Sequence, residues 1–341
     1  MLAIFVRLHL HVGHGKTGSS FLQSWLSINA TALQERMGLL YPDRCPISGR
    51  LDRRAQQGQF SMGNGYVLQP LLDPSCGLFR AKRWRRRLFR QHGVDDQALK
   101  GVVFSYEPWA RHLPSQLNHL LSKSELLGFE GLDLWLLVRD PLDHAVSVYG
   151  QMVKRHGFAG GLDDWLEIYD FPNALLHFLK TIRSCDGSLS LAVDHYGRNK
   201  HSLLNLLKDW LSLSAGYNYS DPKKVVNRSL TLQELCLVRH LNARDPVLGL
   251  AVGELLVNRL PSIRQDCMIP SMAAQQRFIS RWSTTIQIIN SLLPENASLD
   301  LVELTGSCDK AVPSGASTIT LSCEQLDSVV DALIASRQNV S

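Results

Sequence analysis

The chain has 341 residues, 45% of them hydrophobic and 20% charged, which is typical of a globular protein with a sizeable core and argues against extensive disorder. The net charge of +5, from 36 basic and 31 acidic residues, is too small to indicate a nucleic-acid partner, and we expect none. No stretch approaches the roughly 20 continuous apolar residues that a spanning helix needs, so no transmembrane segment is expected.

The cysteines and the N-terminal segment both bear on cellular location. The seven cysteines are widely scattered, without a CxxC pair or zinc-like spacing. This pattern favours reduced thiols in a cytoplasmic protein, and we expect no metal site. The apolar residues 1–12 include Arg7, His9 and His11 and run directly into a glycine turn, which favours a buried strand over a secretory leader.

Apolar runs alternate with helical patterns over roughly the first 190 residues. The apolar runs predict strands at 2–12, 101–107, 132–139 and 188–193. Helical periodicity predicts helices at 19–37, 79–91, 115–127 and 141–155. Residues 43–78, rich in Gly, Pro, Gln and Asp, predict a long loop or insertion near the site. The later pattern is mainly helical, with a polar connection at 306–320 and a last helix at 323–337.

Strands that alternate with helices predict an α/β fold with a central parallel sheet and helices on its faces. We expect one domain over 1–341, with a core of about 1–240, the 43–78 insertion and a mainly helical extension at 250–341. Ligands of such sheets lie at the carboxyl ends of the strands. Three predicted strands are followed there by candidate functional residues, namely the glycine turn, Glu107 and Arg139.

The strongest functional signal is the segment HVGHGKTGSSF at 11–21. Closely spaced glycines allow backbone N–H groups to turn toward an anion at a helix N-terminus, where the helix dipole also favours negative charge. Lys16 adds a positive charge, and hydroxyl donors follow it in the first turn. The residues expected to bind a phosphate or sulfate are Gly13, Gly15, Lys16, Thr17, Gly18, Ser19 and Ser20.

Two other interpretations of this loop stay open. One is a purely structural strand-to-helix turn that happens to contain a lysine. The other is a kinase or NTPase, but the Walker pattern GxxxxGK[ST] requires glycine where this chain has Leu10. Such an enzyme would also need an acidic ligand for Mg²⁺, for which Asp140 is the candidate.

The segment LHVGHGKTGSSFLQ at 10–23, followed by Asn29 and by GLLYP at 38–42, resembles the PAPS-dependent sulfotransferases, particularly bacterial members that open with hxxhGxxKTGTTxLQ. The resemblance covers about residues 8–240 and implies a three-layer P-loop NTPase-like fold. It implies 3'-phosphoadenosine 5'-phosphosulfate (PAPS) as donor and 3',5'-adenosine bisphosphate as product. It also implies that the loop holds the 5'-phosphosulfate and that Lys16 stabilises charge on the departing phosphate. His14 replaces the commoner proline of this family.

A second signature of this family is an arginine at a strand end with a serine eight residues later, which together bind the 3'-phosphate. Arg139 and Ser147 in VRDPLDHAVSVYGQMVKR fit that spacing. Arginine suits this role because its planar fork matches phosphate oxygens. A structural pairing of Arg139 with Asp140 or Asp143 is the alternative.

A third, weaker match is VVNRSLTLQELCLVRHLN at 225–242, which makes Arg228 a further candidate donor contact. The same segment has the pattern of a helix start. Ser229 or Thr231 would cap the helix, with Glu234 at the third helical position if Thr231 is the cap.

Transfer also needs a base that takes a proton from the acceptor hydroxyl or amine. Glu107, at the end of FSYE, stands where many family members have a strand-end glutamate, so the resemblance implies this role. Other members use histidine, which leaves His14 and His112 as competitors, and Glu107 could merely pair with an arginine. The acceptor, a carbohydrate, lipid or small molecule, is not identified by any motif. A catalytically inactive relative that binds a nucleotide or a glycan is the non-enzymatic alternative.

The basic run RAKRWRRRLFR at 80–90 has two interpretations. It could bind nucleic acid or an acidic polysaccharide, including an acceptor. We favour an amphipathic helix with a solvated basic face and an apolar stripe of Phe79, Trp84 and Leu88.

Overall fold

The computed structural model describes residues 6–13, 15–57, 61–94, 99–214, 216–222, 228–263, 266–305 and 318–338. The chain forms two compact units. The first comprises 1–139, 172–226 and 285–299, and the second comprises 140–171, 227–284 and 300–341. The expectation of a single domain over 1–341 stays a prediction.

The first unit contains a five-stranded parallel sheet with the order β2-β3-β1-β4-β5. Its strands are β1 Val6–Val12, β2 Leu39–Leu40, β3 Gly101–Tyr106, β4 Phe129–Val138 and β5 Leu189–His195. The four strands expected from apolar runs are present, and the two-residue β2 adds a short edge. The α/β prediction of a central parallel sheet flanked by helices is confirmed.

The helices account for most of the remaining regular structure. Their bounds are α1 Ser19–Ile28, α2 Ala30–Met37, α3 Gln69–Leu72, α4 Leu78–Gln91, α5 Trp109–His112, α6 Leu117–Leu126, α7 Pro141–His156, α8 Leu162–Ile168, α9 Phe171–Arg183, α10 Tyr196–Asn199, α11 Leu203–Trp210, α12 Leu232–Asn242, α13 Pro246–Arg259, α14 Met272–Leu292 and α15 Cys323–Gln338. Within the described part of the chain, no helix has the length and apolarity to cross a membrane.

Strand β1 lies in the middle of the sheet because its side chains can be buried on both faces. Leu8 and Leu10 on one face are fully buried, and so is His11 on the other. Helices α1 and α11 cover the His11 face, where Trp25 and Leu207 belong to one apolar cluster with residues of β3 and β4. The carboxyl end of β1 therefore lies between those of β3 and β4, and the strand order changes direction around it.

The helix expected at 19–37 is interrupted at Asn29, which ends α1 and precedes α2. The Asn29 side chain donates to the carbonyls of Trp25 and Ser220 and accepts from the Ser220 backbone N–H. This contact with a segment 191 residues away favours the break over a continuous helix. The continuous-helix prediction was wrong at this point.

The second unit is helical in its described residues, as expected for the later part of the chain. Helices α7, α12, α13 and α15 pack on one another. The N-terminus of α12 has the expected capping box, since Thr231 accepts from the Glu234 backbone and Glu234 accepts from the Thr231 backbone. The polar connection expected at 306–320 lies mostly outside the described residues.

Candidate functional site

The loop after β1 has an unusual backbone. Gly15 and Gly18 have φ values of 59° and 81°, and Lys16 between them has φ 52°. Glycine adopts this left-handed region freely, whereas lysine is strained there by about 1 kcal/mol or more. Surrounding contacts must therefore hold Lys16 in place, as is common where a backbone binds a ligand.

Two hydroxyl groups of this loop are buried, and neither has a hydrogen-bond partner among the described residues. Thr17 is fully buried and Ser19 is 1% exposed, yet Thr17 Oγ1 and Ser19 Oγ contact no described donor or acceptor. An unpaired buried polar atom costs about 1–3 kcal/mol, so a water molecule or a ligand oxygen that bonds to these hydroxyls would be stabilising. A Cβ at Gly13 would lie 2.8 Å from Ser19 Oγ, so a side chain there would crowd this hydroxyl. The arrangement fits a cradle for an anion with several oxygens.

Arg139, at the end of β4, holds this loop from one side. Its Nη1 donates a hydrogen bond of 2.7 Å to the carbonyl oxygen of Lys16. Its guanidinium also lies 5.5 Å from the ring centre of Tyr196, which follows β5. A Cβ at Gly18 would lie 3.1 Å from the same ring and 2.5 Å from Leu203, so Gly18 also permits close packing of the loop.

Glu107 follows β3 and lies against the loop from the other side. Its Cα is 3.2 Å from the position of a Cβ at Gly13. Its carboxylate atom Oε2 is 3.8 Å from the position of a Cβ at Gly15. The structure thus brings together the glycine loop, Arg139 and Glu107 at the ends of three adjacent strands, as the sequence predicted.

A buried polar network behind the loop was not found from the sequence. His11 Nδ1 is 2.8 Å from Ser105 Oγ, and Gln23 Nε2 donates to the same oxygen over 3.2 Å. Burial lowers the pKa of His11 from 6.5 to about 3, so this histidine is neutral at physiological pH. The available signal was a polar residue at an inward position of each strand, His11 in β1 and Ser105 in β3.

Asn64 extends this network to the edge of β3 beyond the end of β2. Its Oδ1 accepts from the Ser105 backbone N–H over 2.7 Å, and its Nδ2 donates to the carbonyls of Val103 and Pro42. The side chain thereby replaces a missing neighbouring strand. A Cβ at Gly63 would lie 2.0 Å from the Ser105 carbonyl oxygen, so only glycine fits there. Part of the 43–78 segment is therefore packed next to the strand that ends in Glu107.

The other predicted site residues are placed as follows. Ser20 is half-buried in the first turn of α1, and His112 is exposed at the end of α5. Ser147 is half-buried on α7 in the second unit, and its pairing with Arg139 on one phosphate stays a prediction. His14 lies outside the described residues.

Arg228 is buried in the second unit with a complete set of internal partners. Its five N–H groups donate to both carboxylate oxygens of Glu234 and to the carbonyls of Ser229, Leu256 and Leu260. Burial opposes ionisation of Glu234, but the Arg228 hydrogen bonds hold its pKa below the ordinary value. These contacts stabilise the start of α12, and a contact of Arg228 with a donor nucleotide stays a prediction.

Comparisons with known proteins do not assign the chain to a family. No protein family model matches the chain, and no curated protein matches it at a significant level. One similar solved structure is the sulfotransferase domain from the Synechococcus PCC 7002 olefin synthase, with a TM-score of 0.35 and 14% identity. The match covers 85% of this chain and 96% of that domain. A likeness of this size carries no argument about activity.

Proposed function

We propose that this protein transfers a sulfuryl group from PAPS to a hydroxyl or amine of a carbohydrate, lipid or small-molecule acceptor. The observation that carries the proposal is the glycine loop, in which two buried hydroxyls, Thr17 Oγ1 and Ser19 Oγ, have no partner among the residues that the structure describes. Arg139 and Glu107 lie on opposite sides of this loop. An anion-binding loop with a cation and a carboxylate beside it suits group transfer from a phosphosulfate.

The proposed donor, PAPS, has an anionic group at each end. Bound PAPS would supply an activated sulfuryl group and a bisphosphate leaving group. The 3'-phosphate would be held by Arg139 and Ser147, of which Arg139 already contacts the loop. The loop residues that would hold the 5'-phosphosulfate are Gly13, Gly15, Lys16, Thr17, Gly18, Ser19 and Ser20.

Lys16 would place positive charge where negative charge develops during transfer. Its left-handed backbone is held by the Arg139 hydrogen bond, so the loop is arranged before a ligand binds. Charge stabilisation by a group that needs no reorganisation is a large contribution to catalysis.

Glu107 would be the base. Its half-buried carboxylate lies beside the loop and would accept the proton that the acceptor oxygen or nitrogen loses as its bond to sulfur forms. Lys16 and Glu107 thus have separate roles, one on the leaving group and one on the acceptor. No metal is given a role in this transfer. A cytoplasmic location is proposed from the scattered cysteines alone.

The first test is calorimetric titration of the full chain with 3',5'-adenosine bisphosphate in the presence of a chelator, compared with ATP plus Mg²⁺. We expect tight binding of the bisphosphate without metal. The matched variant Thr17→Val removes one unpartnered hydroxyl with little change in volume and should weaken that binding. Preference for Mg-ATP, or equal bisphosphate binding by Thr17→Val, would contradict the proposed donor site.

A further inference from the structure

Helix α4 carries an unusually concentrated positive charge. Its 14 residues include seven basic side chains and no acidic one. The basic residues are Arg80, Lys82, Arg83, Arg85, Arg86, Arg87 and Arg90. Like charges at helical spacing repel one another, so the isolated surface is electrostatically unfavourable.

The orientation of α4 is fixed by its apolar side. Trp84 and Leu88 are fully buried, and the Trp84 indole N–H donates to the Val67 carbonyl over 2.8 Å. The opposite side is therefore held outward. Lys82, Arg83, Arg86 and Arg90 are exposed there. The ion pairs formed among the described residues involve none of these four.

Phe79 does not join the apolar side, contrary to the sequence prediction. It is 77% exposed, because it lies five positions before Trp84 and therefore about 140° away around the helix. It borders a groove along α4 that also contains Arg83, Arg86 and Arg90. A large aromatic side chain thus lies in water next to a row of cations.

A second exposed apolar side chain also lies next to cations of α4. Leu126, at the end of α6, is 59% exposed and borders a groove with Lys82 and Arg86. Arg86 borders both grooves, so Phe79 and Leu126 each lie next to exposed cations of the same helix. This basic surface is defined by Phe79, Lys82, Arg83, Arg86, Arg90 and Leu126.

The combination of charges and apolar side chains decides which kind of partner fits. A soluble polysaccharide would pair with the cations but would leave Phe79 and Leu126 in water, and a nucleic acid could stack a base on Phe79 but would leave the aliphatic Leu126 in water. An anionic bilayer satisfies both, because its headgroups attract arginine and lysine and its acyl boundary accepts aromatic and aliphatic side chains.

We propose that this basic surface docks the protein on an anionic lipid bilayer. The contact is peripheral, with arginine and lysine in the headgroup layer and the two apolar side chains at the acyl boundary. It is independent of the proposed transfer activity and involves the first unit alone.

The test is co-sedimentation of the full chain with phosphatidylcholine vesicles, with and without about 30% phosphatidylglycerol, over a range of salt concentrations. We expect binding to the anionic vesicles alone, weakened by salt. Arg83→Glu with Arg86→Glu should lower the partition coefficient at least about tenfold. The control pair Lys100→Glu with Lys200→Glu makes the same charge change at exposed positions elsewhere and should bind nearly as well as the parent protein.

A second pair of variants separates a bilayer from a soluble polyanion. Phe79→Ser with Leu126→Ser should lower vesicle binding several-fold, whereas Ile168→Ser with Val247→Ser, at exposed apolar positions elsewhere, should not. Circular dichroism would show whether each variant folds. Absence of vesicle binding, or equal loss in the control pairs, would overturn the proposal. Binding to heparin or nucleic acid with no dependence on Phe79 and Leu126 would assign the surface to a soluble polyanion instead.

Discussion

Arg139 Nη1 donates a 2.7 Å hydrogen bond to the main-chain carbonyl of Lys16. This contact links the end of β4 to the loop that follows β1, where Lys16 has a left-handed backbone. A charged hydrogen bond of this kind stabilises by about 1.5–3 kcal/mol. Arg139 therefore arranges the loop in addition to any direct contact with a phosphate.

Replacing Arg139 should weaken donor binding. Arg139→Ala should raise the dissociation constant of 3',5'-adenosine bisphosphate by about 10- to 100-fold, because it removes both the loop contact and a cation. The dissociation constant of Arg139→Lys should lie between those of the parent protein and Arg139→Ala, since lysine keeps the positive charge but lacks the planar fork. Calorimetry measures all three constants, and an unchanged value for Arg139→Ala would remove this residue from the site.

Lys16 should affect transfer much more than folding. Lys16→Gly should lower turnover about 100-fold or more through loss of charge stabilisation. Because glycine adopts φ 52° without strain, the melting temperature should stay the same or rise. Sulfate transfer from labelled PAPS to an acceptor panel gives the rate, and Lys200→Gly, at an exposed position, is the control. Full activity of Lys16→Gly would exclude the proposed role.

Glu107→Gln should separate proton transfer from donor binding. Turnover should fall about 10²- to 10⁴-fold, while the dissociation constant of the bisphosphate stays within a factor of about two. The parallel variant His112→Gln tests the competing histidine at the end of α5. If His112→Gln loses activity and Glu107→Gln keeps it, the base is the histidine.

His11 should make stability depend on pH. Its pKa is about 3 in the folded protein and near 6.5 when unfolded, so the unfolded state binds the extra proton between these values. Stability should therefore fall as pH decreases from about 6.5 toward 3, by at most about 1.4 kcal/mol per pH unit from this group. His11→Asn should reduce that slope in urea titrations at pH 7, 6, 5 and 4. An unchanged slope would contradict the assignment of His11 as a buried, neutral side chain.

The Arg228–Glu234 pair should contribute strongly to the stability of the second unit. Arg228→Met should cost about 3–5 kcal/mol, since it leaves the fully buried Glu234 carboxylate without its main partner. Arg228→Met with Glu234→Leu should recover part of that loss. Urea denaturation measures both values, and a single variant as stable as the parent protein would contradict this account.

The same pair predicts a pH effect of its own. The pKa of Glu234 is lowered in the folded protein, so its contribution to stability is present above about pH 4.3 and is lost as pH falls through the lower folded value. Arg228→Met with Glu234→Leu has no carboxylate at position 234 and should not show this loss of stability at acidic pH, so it is the control in the urea titrations.

Local sequence patterns were sufficient for the elements that surround the site. The glycine spacing after an apolar run predicted β1, the loop and the start of α1, since each depends on neighbouring residues alone. Glu107 and Arg139 were assigned to one edge of the sheet because parallel strands place their carboxyl ends together. The α/β architecture followed from the alternation of strands and helices.

Contacts between distant residues could not be found in this way. Asn29 interrupts the first helix because its side chain bonds with Ser220. Arg228 carried the pattern of a candidate ligand contact, but the fold surrounds it with Glu234 and backbone carbonyls. Phe79 was assigned to the apolar side of α4 from an approximate spacing, whereas its position about 140° from the buried Trp84 leaves it exposed.

The sequence by itself determined the chemistry of the loop and its position after a central strand, because both depend on residues adjacent in the chain. Only the tertiary structure decided that Arg139 bonds to the carbonyl of Lys16 and that His11 and Ser105 pair behind the loop. These relationships depend on packing and on hydrogen bonds between segments far apart in the chain, and no local periodicity records them.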